Sequence, residues 1–274
     1  MTKLKDAVFG AAVGDALGVP FEFFTRDTFS CTGMTGFGSW QKPAGTFSDD
    51  TSMLIATCDS IREQGEIDVA DMQKRFRMWQ TQNAYTVDGL FDIGNTTAAA
   101  LTEGQGRTSE NSNGNGSLMR IAPLAFTSAT DAQIEQVSAI THAHPISLHA
   151  CVNYVHILRD VIAGVSLAGA VHAAPYQEKP FHRLVDIVTA EDFPRDQISS
   201  TGYVVHTLEA ALWCAKSTDS FEDCVIRAVE LGSDTDTTAC VAGALAGVMY
   251  GIDAIPPKWM DTLRGKEIIE RCLF

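Results

Sequence analysis

Apolar residues recur at three- and four-residue intervals along most of the chain, the spacing that keeps side chains on one face of an α-helix. The pattern predicts helices over residues 4–17, 51–61, 69–79, 146–162, 203–215, 221–231 and 237–250. Alternating, strand-like runs are scarce. Residues 184–188 fit a strand, but 181–190 fit a helix equally well. The expected fold is all-α. Polar and glycine-rich stretches at 25–47, 85–95, 103–117 and 189–202 separate the helices. None has the length or composition of an inter-domain linker, so residues 1–274 are expected to form one domain.

Glycine adds an architectural expectation. Gly10, Gly14 and Gly18 are four apart, as are Gly243, Gly247 and Gly251. On a helix each set forms a stripe without side chains, where another backbone can approach closely. Glycine within a helix costs about 1 kcal/mol against alanine, so such stripes call for a packing reason. The alternative is that Gly18 and Gly251 simply end their helices.

Composition narrows the function class. Hydrophobic residues make up 45% of the chain and charged residues 20%, enough for a sizeable core. The net charge of −14 and the lack of a Lys/Arg run argue against a nucleic-acid partner. Seven cysteines, with no C-x-x-C pair, read as buried reduced thiols. No signal peptide is visible, and the longest uncharged apolar stretch, 239–251, is too short for a membrane span. A cytoplasmic protein is expected.

The chemistry concentrates in two segments, Gly45-Thr46-Phe47-Ser48-Asp49-Asp50-Thr51 and Gly232-Ser233-Asp234-Thr235-Asp236-Thr237-Thr238. Each follows a glycine and runs into an apolar helical segment. Helix capping explains part of this, because Ser, Thr and Asp accept hydrogen bonds from first-turn N–H groups. Adjacent carboxylates exceed what a cap requires and repel each other unless a cation offsets them. Carboxylate and hydroxyl oxygens are hard donors suited to Mg²⁺, Mn²⁺ or Ca²⁺, whereas zinc prefers His or Cys. Four carboxylates suit two cations about 3.5–4 Å apart, an arrangement used to orient substrate and activate water.

Further candidates are weaker. Glu22 follows a helix end marked by Gly18 and Pro20. Asp92 lies between glycines just before a helix. Asp15, in a glycine-rich helix, reads as an orienting or capping carboxylate. Of His142 and His144, one is expected to orient a site and the other to pack. Gly114-Asn115-Gly116-Ser117 suits a phosphate or ribose but lacks the lysine and strand of a P-loop.

Taken in order, these motifs resemble the ADP-ribosylglycohydrolase family over nearly the whole chain. They are Gly10-Ala11-Ala12-Val13-Gly14-Asp15-Ala16-Leu17-Gly18 with Glu22, the Ser48 segment, Asp92-Ile93-Gly94-Asn95-Thr96-Thr97, and Gly114-Asn115-Gly116-Ser117-Leu118-Met119-Arg120 with Pro123. Thr141-His142-Ala143-His144-Pro145, Thr201-Gly202-Tyr203-Val204-Val205 and the Asp234 segment complete the set. The resemblance implies an all-α fold, a compact single-domain orthogonal helical bundle, with two Mg²⁺ or Mn²⁺ ions, and hydrolysis of the glycosidic bond between ADP-ribose and a protein side chain, often arginine. Carried over by position, Ser48, Asp49, Asp50, Asp234, Asp236 and Thr237 are the metal ligands. Asp92, Glu22 and Asp49 are the catalytic candidates. Gly114, Asn115, Gly116, Ser117 and Met119 would hold diphosphate and ribose, and His142 and Tyr203 the nucleotide portion. One departure is Ser48, where the family commonly has threonine; serine keeps the hydroxyl with a less fixed rotamer. The implied partner is an ADP-ribosylated protein or ADP-ribose. Two other readings fit the residues: a binder that occludes an ADP-ribosylating toxin, and a hydrolase of small ADP-ribosyl metabolites.

Overall fold

The structure is a computed structural model that describes residues 3–274. It contains thirteen α-helices and no strand among the described residues, only isolated bridges. Two helices form the centre, α1 (Lys3–Gly18) and α11 (Thr235–Tyr250). Neither has a polar face: nearly every residue of both is buried. A helix apolar all round must be enclosed by others. Around the pair pack α2 (Asp49–Gln64), α6 (Pro145–Ile162), α9 (Val204–Lys216) and α10 (Phe221–Val229).

Both glycine stripes lie in the contact between α1 and α11. A methyl group on Gly10 would fall on the Gly243 carbonyl, one on Gly14 on the Ala239 carbonyl, and one on Gly247 on the Asp6 carbonyl. Gly18 is the last residue of α1 yet also belongs to the stripe, with Asp236 backbone where its side chain would be. Gly251 differs: it has open space around it, and its φ of +83° ends α11. Tight backbone approach therefore explains five of the six placements. Gly14→Ala is expected to cost at least about 3 kcal/mol, the upper range for overpacking, as measured by urea denaturation. A loss under 1 kcal/mol would mean that the two helices separate easily.

The outer layer is more amphipathic. Helix α3 (Val69–Gln82) is capped by Asp68 and buries Met72, Phe76 and Trp79. It packs against α2 and α4 (Asn95–Glu103). Helix α5 (Asp131–Ala139) lies on α6 and opens with a complete capping box between Thr130 and Gln133. Residues 181–190, compatible with either element, form a 3₁₀ turn leading into α8 (Leu184–Thr189). Helices α7 (Leu167–Ala173), α12 (Pro257–Thr262) and α13 (Lys266–Cys272) are short, as are α4 and α5. None of these five emerges from the apolar period, because six to nine residues span barely two turns. All seven cysteines are buried and unpaired. No helix among the described residues is long and apolar enough to cross a membrane.

Candidate active site

Helices α2 and α11 begin side by side, each with its first turn facing the same point. Ser48 caps α2, its hydroxyl accepting from the Asp50 N–H, and Asp49 and Asp50 fill the first turn. Asp234 occupies the cap position of α11, with Asp236 in the first turn. Exposed N–H groups and the helix dipoles favour negative charge here. Asp15, from the middle of α1, completes the start of α2. Its carboxylate accepts from the Ser48 N–H at 2.9 Å, the Thr51 N–H at 3.0 Å and the Thr51 hydroxyl at 2.6 Å. Asp15 is therefore the orienting carboxylate. Burial pushes it up to about 6 despite those bonds.

Three of the acidic side chains, Asp50, Asp234 and Asp236, share one pattern: one oxygen is held by protein and the other is bare. Asp50 Oδ2 accepts from the Ser48 hydroxyl at 2.9 Å and the Thr237 hydroxyl at 3.4 Å, while Oδ1 has no partner. Asp234 Oδ2 accepts from Asn115 Nδ2 at 2.8 Å, and Oδ1 has none. Asp236 Oδ1 accepts from the Thr237 N–H at 3.0 Å, and Oδ2 has none. Oxygens of Asp15, Asp50 and Asp236 converge within 4.8 Å, as do those of Glu22, Asp92 and Asp236. Asp236 belongs to both groups. Burial and mutual repulsion drive Asp49, Asp50 and Asp236 well above the usual carboxylate range. Bare, buried, hard oxygens at this density fit divalent cations and no histidine–cysteine metal.

Two loops supply the remaining acids. Glu22 leaves the 3₁₀ turn Val19–Phe21, and backbone hydrogen bonds of the residues after it hold it in place. The Phe23 N–H donates to Ser233 O at 2.7 Å, and the Ser233 N–H donates to Phe24 O at 2.8 Å. This pair ties the Glu22 loop to the Asp234 loop. The indole N–H of Trp40 donates to the Glu22 carboxylate, and the Ser39 hydroxyl to the Glu22 carbonyl. Burial and the nearby Asp92 raise Glu22 to about 9. Asp92 sits at φ +52°, Ser233 at +64° and Phe23 at +68°. Left-handed backbone at non-glycine residues clusters where function holds it there.

A cavity of about 370 Å³ opens over these acids. Glu22, Asp49, Asp92, Asp234 and Thr237 line it, together with Gly114, Asn115, Gly116, Met119 and His142. Ser48, Asp50 and Asp236 lie beneath its floor, buried. Two expected contacts do not line it. The Ser117 hydroxyl is turned into the core, accepting from Ser138 Oγ at 2.9 Å and from the Cys151 thiol. Tyr203 stands at the cap of α9 with its ring edge-on to His206. Its contribution is backbone: the Gly114 segment bridges to it, with Asn115 N–H donating to Gly202 O at 3.0 Å. The two histidines of the H-x-H pair take different places. His142 lines the cavity, and His144 caps α6 through Nδ1.

Several site residues carried no sequence signal. Trp40 lies in the aperiodic 25–47 loop. Asn111 lines the cavity from a 3₁₀ turn, where polar residues are ordinary. Arg26 staples the Asp234 loop from outside, donating to the carbonyls of Leu231, Arg195 and Ile198.

His142 gives a test of this packing. Burial and the charge of Arg120 lower it from 6.5 to about 3, so the folded protein binds fewer protons there than the unfolded chain. Stability contributed by neutral His142 is complete above pH 6.5 and is lost as pH falls towards 3, by ~1.4 kcal/mol per pH unit. His142→Gln is therefore expected to flatten the fall in melting temperature between pH 7 and 5. Parallel curves for the two proteins would show that His142 titrates normally.

Comparison with known proteins agrees with this geometry. The family model for ADP-ribosylglycohydrolase matches residues 1–273. An ADP-ribosylarginine hydrolase, Tri1, of Pseudomonas putida (strain GB-1) is 33% identical over 99% of this chain and 76% of its own. The ADP-ribosyl-[dinitrogen reductase] glycohydrolase of Rhodospirillum rubrum is 33% identical over 94% of this chain and 88% of its own. A solved structure, described as an ADP-ribosylglycohydrolase-related protein complex, superposes with a TM-score of 0.81 at 30% identity, covering 98% of this chain and 95% of that one. With paired carboxylate clusters at two helix starts and a cavity above them, the chain belongs to the ADP-ribosylglycohydrolase family.

Proposed function

We propose that this protein is a divalent-cation-dependent hydrolase that removes ADP-ribose from arginine side chains of a modified protein. The observation that carries the reading is the cavity itself, which sets a group of acids beside the glycine-rich Gly114–Gly116 segment. Two relatives of the chain are named ADP-ribosylarginine hydrolases, from Pseudomonas putida and Serratia proteamaculans. The acids suit a cationic guanidinium. Trp40, whose indole N–H donates to Glu22, stands beside them, an aromatic side chain that also favours a cation. Phe23 and Phe37, 69% and 60% exposed, give a modified protein apolar surface to rest on.

Asp49, Asp50, Asp234 and Asp236, with the hydroxyls of Ser48 and Thr237, would hold two Mg²⁺ or Mn²⁺ ions. Bound there, the cations would supply Lewis acidity towards ribose oxygens and water. The chain's own residues do the rest. Oxygens of Glu22 and Asp92 lie within 4.8 Å of each other, so one protonated carboxyl can serve the leaving nitrogen while its partner takes the proton of water. The C1–N bond breaks and a C1–O bond forms, releasing arginine and ADP-ribose. Asn115 spans the cavity wall, donating to Asp234 and Thr207. It thereby fixes the glycine-rich segment relative to the acids.

The test is ADP-ribose release from arginine-, serine- and cysteine-modified proteins with Mg²⁺, Mn²⁺ or EDTA. The expected result is release from the arginine substrate alone, abolished by EDTA. Equal release from free ADP-ribosyl metabolites would move the assignment to small substrates.

A further inference from the structure

Behind the glycine-lined wall lies a cation that the chemistry above does not use. Arg120 is completely buried, and no acidic side chain pairs with it among the described residues. Its guanidinium donates to Gly116 O at 3.2 Å, Val137 O at 3.3 Å and the Thr141 hydroxyl at 2.8 Å, with its flat face on Phe76. A charge enclosed without a counter-ion is costly, so its partners merit a full hydrogen-bond account.

The account turns on Thr141. Its hydroxyl is buried and has two neighbours within hydrogen-bonding reach, Arg120 Nη2 and His142 Nδ1, the latter at 2.8 Å. Guanidinium can only donate. The Thr141 proton therefore has one acceptor, His142 Nδ1. Were Nδ1 protonated, the threonine proton would be buried without a partner. The ring proton accordingly resides on Nε2. That nitrogen borders the cavity, beside Gly114 and Gly116, and bonds to no protein group among the described residues.

We infer that Arg120 and Thr141 form a relay that fixes the tautomer of His142, so that its Nε2–H is presented to the cavity as a hydrogen-bond donor for an acceptor oxygen of the ligand. Arg120 and Thr141 are thus positioning residues, and the buried charge orients a hydroxyl rather than neutralising an acid. The same guanidinium holds the Gly116 carbonyl on its own, buried side. The relay makes this part of the cavity selective for acceptors, and the identity of the acceptor as part of ADP-ribose rests on the function proposed above. Burial and the Arg120 charge keep the imidazole neutral across the working pH range. A neutral ring has only one N–H, so the choice of nitrogen decides whether the subsite donates or accepts.

Nitrogen-15 NMR of histidine-labelled full-length protein, with Mg²⁺ and with His142 identified by its absence in His142→Asn, reads the tautomer directly. The expected result is an unprotonated Nδ1 in the parent protein and in Thr141→Ser, which keeps the hydroxyl. Thr141→Val is expected to mix the tautomers and to weaken Mg²⁺-loaded binding of ADP-ribose by about tenfold. In turnover, KM should rise by a similar factor while kcat changes less than about twofold. A proton on Nδ1 in the parent protein overturns the relay, and this measurement needs neither a variant nor a ligand. Unchanged ADP-ribose affinity in a Thr141→Val protein with mixed tautomers overturns the subsite role. A parent protein with the expected tautomer but no affinity for ADP-ribose instead refutes the ligand assignment and leaves the relay standing.

Discussion

Replacing Asp236 with asparagine is expected to lower turnover by about 10³-fold or more. It is the one residue common to both converging groups of acids, so its loss weakens each at once. The substitution keeps the shape and the contact from the Thr237 N–H to Oδ1, and it removes a bare buried oxygen. An opposite effect on stability follows. Without divalent cations the variant should be more stable than the parent, by about 1–3 kcal/mol, because an uncompensated acceptor has been removed. With Mg²⁺ the order should reverse. A cation at a hundred times its dissociation constant stabilises the parent by about 2.7 kcal/mol and the variant by far less. Thermal melts with EDTA and with Mg²⁺ check both halves. Equal Mg²⁺ stabilisation of the two proteins would remove Asp236 from the proposed ligand set.

Gly18→Ala is expected to reduce activity by about a hundredfold without touching a ligand side chain. The added methyl would overlap the backbone of Thr235 and Asp236, about 2.6 Å from the Thr235 carbonyl carbon. Relief requires α11 to move at the turn that carries Asp236. A displacement near 1 Å in such a site costs about two orders of magnitude in rate. Gly10→Ala, two turns further from the acids, should lose stability comparably yet retain far more activity per folded molecule. Measuring kcat on folded, Mg²⁺-saturated protein separates the effects. Comparable kcat losses in both variants would mean that the helix pair moves as a unit, with no special link between Gly18 and the site.

Much of this arrangement is legible in residues close together in sequence. The long helices declare themselves by period, and the glycine stripes announce a close backbone contact before any partner is known. The two Ser/Thr–Asp segments show charge in excess of capping. Their meeting is not legible, since it depends on α1 and α11 packing in one register. Nor can spacing reveal the division of each carboxylate into a held and a bare oxygen, because the holders come from elsewhere: Asn115 for Asp234, Thr237 for Asp50. Ser117 shows the reverse limit. It stands in a glycine-rich segment suited to a ligand, yet its neighbours on α5 and α6 turn the hydroxyl inward. Trp40 was silent because an indole in an irregular loop has no pattern to break.

The glycine contact between α1 and α11 also sets an order of events during synthesis. The hydroxyl of Thr235 donates to the Gly18 carbonyl at 2.8 Å, joining residues 217 positions apart. Helix α1 is synthesised before its partner, apolar on every side, and the residue that meets Gly18 follows 217 positions later. At about 5–20 residues per second, the nascent chain carries that unmatched surface for tens of seconds. Contacts of such long range form slowly and leave intermediates prone to association. Chains stalled before α11 would lack Asp234 and Asp236 as well as the cover for α1. Such fragments are substrates for chaperones and proteases rather than partial enzymes.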